Sequence, residues 1–536
     1  MSDKSFGRRQ FGAGAALSAA ALVASACATG STTTGTTSNN SSTPKVRTTE
    51  GTVRGKLENN VAVFRGIPYA QAPVGTLRLQ APVRYAPWSG VREAFDFGPQ
   101  PPQAVMPGST ANTANDSDEW LTVNVWSPDV KASGLPVMVW IYGGAFMMGS
   151  SAQPSYNGTN LATKGVVVVS LNYRVSMEGY GLITGAPANR GLLDQIAALG
   201  WVRDNIAAFG GDPGRVTIFG QSAGAGSIAM LLAAPAAHEL FQRAIAQSVP
   251  TALQTPELAA DVATVVAARA GKQPTMADLT GVDPQTLADA AAAVSKNIAQ
   301  YQDRWGYGLV VAGTEFGPVI DPDSLPESPY KALARGVSKD VTLMVGHTKD
   351  EYNFMITMAG GTDKITTEQI DKALRLLPPV TDGPQAYRAA YPEADDKRLY
   401  QIVCSDFLFR MPSLRLAQAH TAGGGRSYLY EFRYDKTPTG AAHGNEIALV
   451  FGLIDTEGTR TYGNPPAADA VALGNQMQAD WLAFATTGDP GWPAYHPDTQ
   501  PARSFDTTST TGPYPEHPAQ QIWADDPLDP LPLRHN

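Results

Sequence analysis

Cysteine is almost missing from this chain: two in 536 residues, Cys27 and Cys404. Two thiols cannot make the four-ligand zinc spacings, so a structural zinc of that kind is excluded. Neither G-x-x-x-x-G-K-[ST] nor a G-x-G-x-x-G following a strand occurs, which removes the usual phosphate and dinucleotide cradles. Basic charge is also short. The net charge of −9 leaves no basic patch, and nucleic acid is not expected as a partner. The longest apolar run, Phe11 to Ala26, is too short to cross a bilayer core of about 30 Å comfortably. No internal repeat is visible. What remains is an ordinary globular balance, 17% charged and 43% hydrophobic, in a chain long enough to bury a large core. Length alone would suggest two to four domains, although large α/β enzymes can be one. The chemistry should need no cofactor and no metal.

The amino terminus reads as an address. Arg8–Arg9–Gln10–Phe11 is a basic head, an apolar run follows, and Ala24–Ser25–Ala26–Cys27 is a small-residue end. These are the three parts of an export signal, here 1–26. The arginine pair with its following Phe looks like the twin-arginine route. Cys27 resembles the cysteine of a bacterial lipobox, which would be acylated and hold the protein at a membrane. Ala24 stands where that motif usually has Leu, and Ala24–Ser25–Ala26 also suits an ordinary signal peptidase. Two localisations therefore stand: an extracytoplasmic membrane lipoprotein, or a secreted or periplasmic protein. Residues 28–43 are almost all Ser, Thr, Gly and Asn, too polar to pack, and read with Cys27 as a flexible tether over 27–43. The folded part is expected over 44–536.

Val216–Thr–Ile–Phe219 reads as a buried strand, and Ser227 to Leu232 continues into an apolar helical pattern. Between them lies Gly220–Gln221–Ser222–Ala223–Gly224, the G-x-S-x-G of a nucleophile elbow. A serine in so tight a turn brings the chain close to itself on both sides, and glycines two residues either way leave no Cβ to clash. The hydroxyl is then set over a helix N-terminus, where free N–H groups favour developing negative charge. Such a pentapeptide can arise by chance, so partners elsewhere must decide it.

Upstream, Val46–Gly55 and Val61–Phe64 read as short antiparallel strands. Leu121–Trp126, Pro136–Tyr142 and Gly165–Tyr173 read as further strands, the last two apolar enough to be covered on both faces. Gly191 to Ala208 has helical periodicity and stops at Gly210–Gly211–Asp–Pro. Downstream, 256–300 is Ala-rich and helical. Phe316–Asp321 and Val341–Gly346 look like later strand or loop pieces, 360–425 is helical and mixed, and Ser427–Phe432 is another strand. Strand alternating with helix predicts a large, mainly parallel twisted sheet covered by helices, an α/β protein.

Several motifs follow one another in order: Gly66–Ile–Pro–Tyr–Ala, Tyr142–Gly–Gly–Ala–Phe, Asn172–Tyr–Arg, Gly191–Leu–Leu–Asp–Gln, the run from Phe209 through the elbow, and Phe241–Gln–Arg–Ala–Ile–Ala–Gln–Ser248. Together they resemble the type B carboxylesterase family of the α/β-hydrolase fold, over about residues 46 to 525. The resemblance implies a serine esterase with helical insertions forming a lid region on one catalytic unit.

A serine hydroxyl needs a base within hydrogen-bond reach, itself oriented by an acid. Of seven histidines, His517 and His535 lie in the Pro-rich tail, His496 sits between Tyr and Pro, and His238 and His420 look like helix-surface residues. His347 follows a strand and reads as a loop residue. His443 lies in a loop leading into an apolar helix, and its H-x-x-E-I…F-G surroundings match the family's catalytic histidine. Gly346–His–Thr–Lys–Asp–Glu351 follows a strand, where a triad acid belongs. The family uses the glutamate of Asp–Glu–Gly, which gives Glu351, with Tyr352 replacing the glycine and Asp350 as the alternative. The order Ser222, Glu351, His443 agrees with the fold. The resemblance further implies an oxyanion hole from the N–H groups of Gly144, Ala145 and Ala223.

Departures from the family are informative. Pro101 and Trp120 stand where the family often has a pair of bridged cysteines, so that disulfide is not expected, and Cys404 has no expected partner. Arg78 and Asp118 resemble a structural ion pair of the family. Gln221 stands where cholinesterases carry Glu, so that accessory negative charge is absent. Cholinesterases hold a quaternary ammonium on a tryptophan in the loop between the bridged cysteines. The stretch Gln103–Ser117 here has no aromatic residue, and the flanking Trp88 and Trp120 look structural. The expected partner is a small, uncharged ester. Two rivals stay open: a carbamate or amide hydrolase with the same triad, and a non-catalytic binding or adhesion protein on the same fold.

Overall fold

The computed structural model describes residues 43–104, 117–455 and 460–534. The signal-like segment, Cys27, the tether up to Ser42, most of the aromatic-free loop (105–116) and His535 lie outside the described residues. Fourteen strands are present among the described residues. They are β1 Lys45–Arg47, β2 Thr52–Arg54, β3 Lys56–Glu58, β4 Val61–Pro68, β5 Val91–Glu93, β6 Thr122–Ser127 and β7 Leu135–Ile141. The rest are β8 Val167–Leu171, β9 Gly211–Gln221, β10 Arg243–Gln247, β11 Thr342–Thr348, β12 Ser427–Phe432, β13 Pro501–Phe505 and β14 Thr510–Pro513.

Eleven of them form one sheet in the order β14-β13-β12-β11-β10-β9-β7-β8-β6-β4-β3. From β8 through β13 every neighbouring pair runs parallel, while β6, β4, β3 and β14 join antiparallel at the two ends. The small strands β1, β2 and β5 make a separate sheet. In β8 and β12 every residue is buried, and only the first residue of β7 is not. Cover on both sides of a parallel sheet is why β7 is an unbroken apolar run and β8 is interrupted only by Ser170, whereas β12 also buries Ser427 and Glu431. The mainly parallel α/β sheet expected from the sequence is present.

The reversal of strand order around β9 brings β7 and β10 to its two sides, so the carboxyl ends of β7, β9 and β10 share one edge. In an open α/β sheet such a crevice is where ligands bind. Long helical insertions interrupt the sheet. One lies between β10 and β11, with helices Pro256–Arg269 and Pro284–Ser295. Another lies between β11 and β12 and includes Thr367–Leu376, Gly383–Ala390, Asp396–Ser405 and Met411–Ala422. The second insertion has its own apolar cluster, centred on Leu374, Tyr387, Leu399, Val403 and Cys404, apart from the main core. Phe316–Asp321 is a loop with isolated bridges rather than a strand.

Three side chains stand differently from their expected places. Arg78 does not pair with Asp118, which is exposed. It pairs with Glu178 at 2.6 Å, both buried, and also donates to the carbonyls of Thr280 and Val282. A buried guanidinium needs acceptors on several sides, and only the tertiary fold brings these to it. His420 is fully buried rather than on a helix surface, with Nδ1 at the Ser427 hydroxyl (2.9 Å) and Nε2 at the Ser338 carbonyl (3.1 Å). His347 lies within β11, buried, with Nε2 at 2.8 Å from the Tyr514 hydroxyl. Burial pushes it down to about 4, so it stays neutral.

Candidate active site

The elbow is a sharp turn between β9 and the helix Ala223–Ala233. Ser222 sits at φ 58°, ψ −126°, a conformation that L side chains rarely adopt. The flanking glycines have a specific reason. A Cβ on Gly220 would lie 2.6 Å from the Ile141 carbonyl oxygen, and one on Gly224 would run into the same group. The end of β7 therefore crosses directly beneath the turn. Ser222 itself is half-buried, raised from the sheet at the start of a buried apolar helix.

The loop Tyr142–Phe146 leaves β7 beside this turn. Gly144, Ala145 and Phe146 all have positive φ (127°, 56° and 58°), a nest that turns successive N–H groups toward one point. A Cβ on Gly143 would lie 3.0 Å from the Ser222 Cβ, so the loop and the serine are in contact. The Gly144 carbonyl accepts from Met147 and Met148, and the Ala145 carbonyl accepts the Thr314 hydroxyl at 3.0 Å. The carbonyls are held in this way, and the N–H groups of Gly144 and Ala145 are the ones the family resemblance assigns to an oxyanion hole. Ala223 opens the helix, so its N–H also lacks an intrahelical acceptor.

Glu351 lies just past β11 and is fully buried. Its Oε2 is 2.5 Å from Nδ1 of His443, and its Oε1 accepts both the Ser248 hydroxyl (2.6 Å) and the Thr348 N–H (2.7 Å). Burial by itself pushes the carboxyl up. The His443 imidazole, the Ser248 hydroxyl and the Thr348 N–H outweigh it and hold Glu351 below the usual carboxylate range. Asp350, the alternative acid, is engaged elsewhere: it pairs with Arg398 at 2.6 Å. The Tyr352 that replaces the family's glycine takes helical backbone angles and caps the helix Asn353–Met358, so no glycine is needed there.

His443 is flanked by two aromatic rings. Phe409 stacks on it with ring centroids 4.1 Å apart and planes 29° from parallel, and Phe354 lies 6.2 Å away. Phe409 belongs to the π-helical turn Asp406–Arg410, a local widening that often marks functional positions. With the Nδ1 proton directed at Glu351, Nε2 is the acceptor nitrogen. It faces the Gln221 side-chain amide at 3.0 Å, one residue from Ser222. Behind the histidine, Glu446 accepts from Gln247 at 3.2 Å. Burial first, then the nearby Glu351 charge, pushes Glu446 up to about 7.

The structure thus brings Ser222, Gly144, Ala145 and Ala223 to one edge, and couples Glu351 to His443. Ser248, Phe409 and the amide of Gln221 were not given roles from the sequence. Ser248 closes the Phe241–Ser248 motif and could have been flagged by it. Phe409 carries no sequence signal, since a π turn inside a helical run has no period of its own. Among the described residues no cluster of His, Cys, Asp and Glu suited to a metal is present. Cys404 is buried and free, with its thiol pushed up by burial.

Comparison with known proteins agrees with this architecture. The model of the carboxylesterase family matches residues 42–523. The para-nitrobenzyl esterase of Bacillus subtilis (strain 168) is 37% identical over 500 residues, 89% of this chain and 97% of that one. The phenmedipham hydrolase of Pseudarthrobacter oxydans is 32% identical over 85% of this chain and 93% of its own. Among solved structures, the carboxylesterase EST55 of Geobacillus stearothermophilus superposes with a TM-score of 0.79 at 35% identity, covering 89% of this chain and 99% of that one. The family match over residues 42–523 and the 37% identity over most of both chains place this protein in the carboxylesterase family.

Proposed function

We propose that this protein is a serine carboxylic ester hydrolase working through an acyl-enzyme on small, uncharged esters. The observation that carries the reading is the buried Glu351–His443 pair, 2.5 Å apart and joined to the elbow beside Ser222. Ser222 Oγ attacks the ester carbonyl and its proton passes to Nε2 of His443. Glu351 keeps the imidazole in the tautomer that can accept it and stabilises the imidazolium. The tetrahedral oxygen is received by the N–H groups of Gly144, Ala145 and Ala223, each of the kind worth about 3–4 kcal/mol when a single donor is removed. The imidazolium then protonates the leaving alkoxide, and water clears the acyl group by the same route. No step calls for a metal or cofactor.

The test is turnover of a panel of chromogenic esters beside three variants. Ser222→Ala and His443→Ala should abolish turnover, and Glu351→Gln should lower kcat by on the order of 10³–10⁴. Wild-type rates in Glu351→Gln would remove the acid from the triad.

We further propose that the mature protein begins at an acylated Cys27 and is held at the outer face of a membrane. The basic head, apolar run and small-residue end before Cys27, and the polar stretch after it, support this. Among the described residues no helix is long and apolar enough to cross a membrane.

A further inference from the structure

Gln221 is buried at the junction of three loops that make the site. Its amide nitrogen lies 3.0 Å from Nε2 of His443. A Cβ added to Gly143, in the amide nest, would lie 3.3 Å from its Oε1, and one added to Gly444, next to the histidine, 3.6 Å from its Nε2. One side chain therefore packs on the elbow, the nest and the histidine loop together. Since Nδ1–H of His443 donates to Glu351, Nε2 of the neutral ring carries the lone pair, and the Gln221 amide is the donor that meets it.

We propose that Gln221 is a positioning residue that holds the neutral imidazole of His443 through Nε2 in the free enzyme, and that acylation requires it to yield that lone pair to Ser222 Oγ. The inference rests on the esterase reading for its rate predictions, but the hydrogen bond can be tested without turnover. The amide N–H donates to neutral Nε2 and, in this orientation, offers nothing to the protonated ring, so it favours the neutral one. A carboxylate at the same place can only accept, and so favours the charged ring. An apolar side chain favours neither. The charged groups facing His443 are Glu351 from the β11 loop and Glu446 from the helix that follows the histidine loop, and both are present in every Gln221 variant.

Two measurements decide it. The first is the pH profile of kcat/KM for Gln221→Met, similar in size but without donors, and Gln221→Glu. The acid limb should move to higher pH in the order wild type, Met, Glu. The first step should correspond to a change of about two- to tenfold in proton affinity, the equivalent of one neutral hydrogen bond. Any other order, or a limb common to all three, overturns the proposal. The second needs no activity. In ¹⁵N-histidine-labelled enzyme on the alkaline side of the limb, Nε2 of His443 should show the resonance of a hydrogen-bonded acceptor. It should be unchanged in Ser222→Ala and displaced in Gln221→Met. Displacement in Ser222→Ala instead would show that Ser222, not Gln221, holds the resting base. Absence of turnover with an intact Gln221–His443 bond would count against the esterase reading alone.

Discussion

Ser248 donates its hydroxyl to Oε1 of Glu351 at 2.6 Å, on the side of the carboxylate opposite His443. The serine stands at the end of β10 with φ 62°, and its N–H is fixed by the Gly346 carbonyl. It thereby orients the carboxylate that holds the His443 imidazole. Hydrogen bonds to charged groups are worth about 1.5–3 kcal/mol. Ser248→Ala should lower kcat on the order of tenfold with KM little changed. The sign of the pH effect follows from the lowered Glu351. Its ionised form stabilises the fold above the usual carboxylate range, and that contribution is lost as pH falls through the folded value. Removing one donor raises the folded value, so acid unfolding of Ser248→Ala, followed by tryptophan fluorescence, should begin at higher pH than in wild type. An unchanged midpoint with unchanged kcat would show that Ser248 supports nothing.

Glu315 lies behind the amide nest, next to Thr314, whose hydroxyl holds the Ala145 carbonyl. It is fully buried, accepts from Ser295, and burial pushes it from 4.5 up to about 7. A carboxyl with a raised folded value costs nothing below the unfolded one. Its penalty grows as pH rises, because the unfolded chain ionises first. Between pH 4.5 and about 7 the wild-type protein should therefore lose on the order of 1–3 kcal/mol more stability than Glu315→Gln. Thermal unfolding of both across that range is the check. Parallel curves would mean that Glu315 ionises freely in the fold.

The flanking tryptophans do not supply a cation site. Trp120 is buried, and Trp88 donates its indole N–H to the Thr52 carbonyl while the Arg92 guanidinium sits 5.9 Å from its ring centroid. A desolvated cation–π contact is worth about 2 kcal/mol or more, so lacking one removes roughly thirtyfold in affinity for choline. Phenyl acetate should have a higher kcat/KM than acetylcholine when the two are measured side by side. Equal values, or the reverse, would show that a cation is held elsewhere in the site.

For the amino terminus, mass spectrometry of the mature protein should find an acylated Cys27, and the protein should fractionate with membranes. An unmodified Cys27, or free protein in the medium, assigns plain secretion.

The sequence by itself determined the sheet and the serine elbow. Runs such as Pro136–Tyr142 and Val166–Val169 are apolar at every position because a strand covered on both faces favours apolar side chains. The elbow is legible because Gly220 and Gly224 are demanded by a backbone passing within van der Waals reach. Local steric need and burial leave marks on neighbouring residues, and those can be read along the chain. What joins distant segments leaves no such mark. Choosing Glu351 over Asp350 from the residues alone was open until the fold paired Asp350 with Arg398. Arg78 found Glu178, a hundred positions along, because several acceptors converge there. Phe409 reached His443 only because a π turn rotates one helix face, and Gln221 met Nε2 only because three loops close on one point. A buried polar group is satisfied by whatever the packing brings to it, and only the tertiary structure decides what that is.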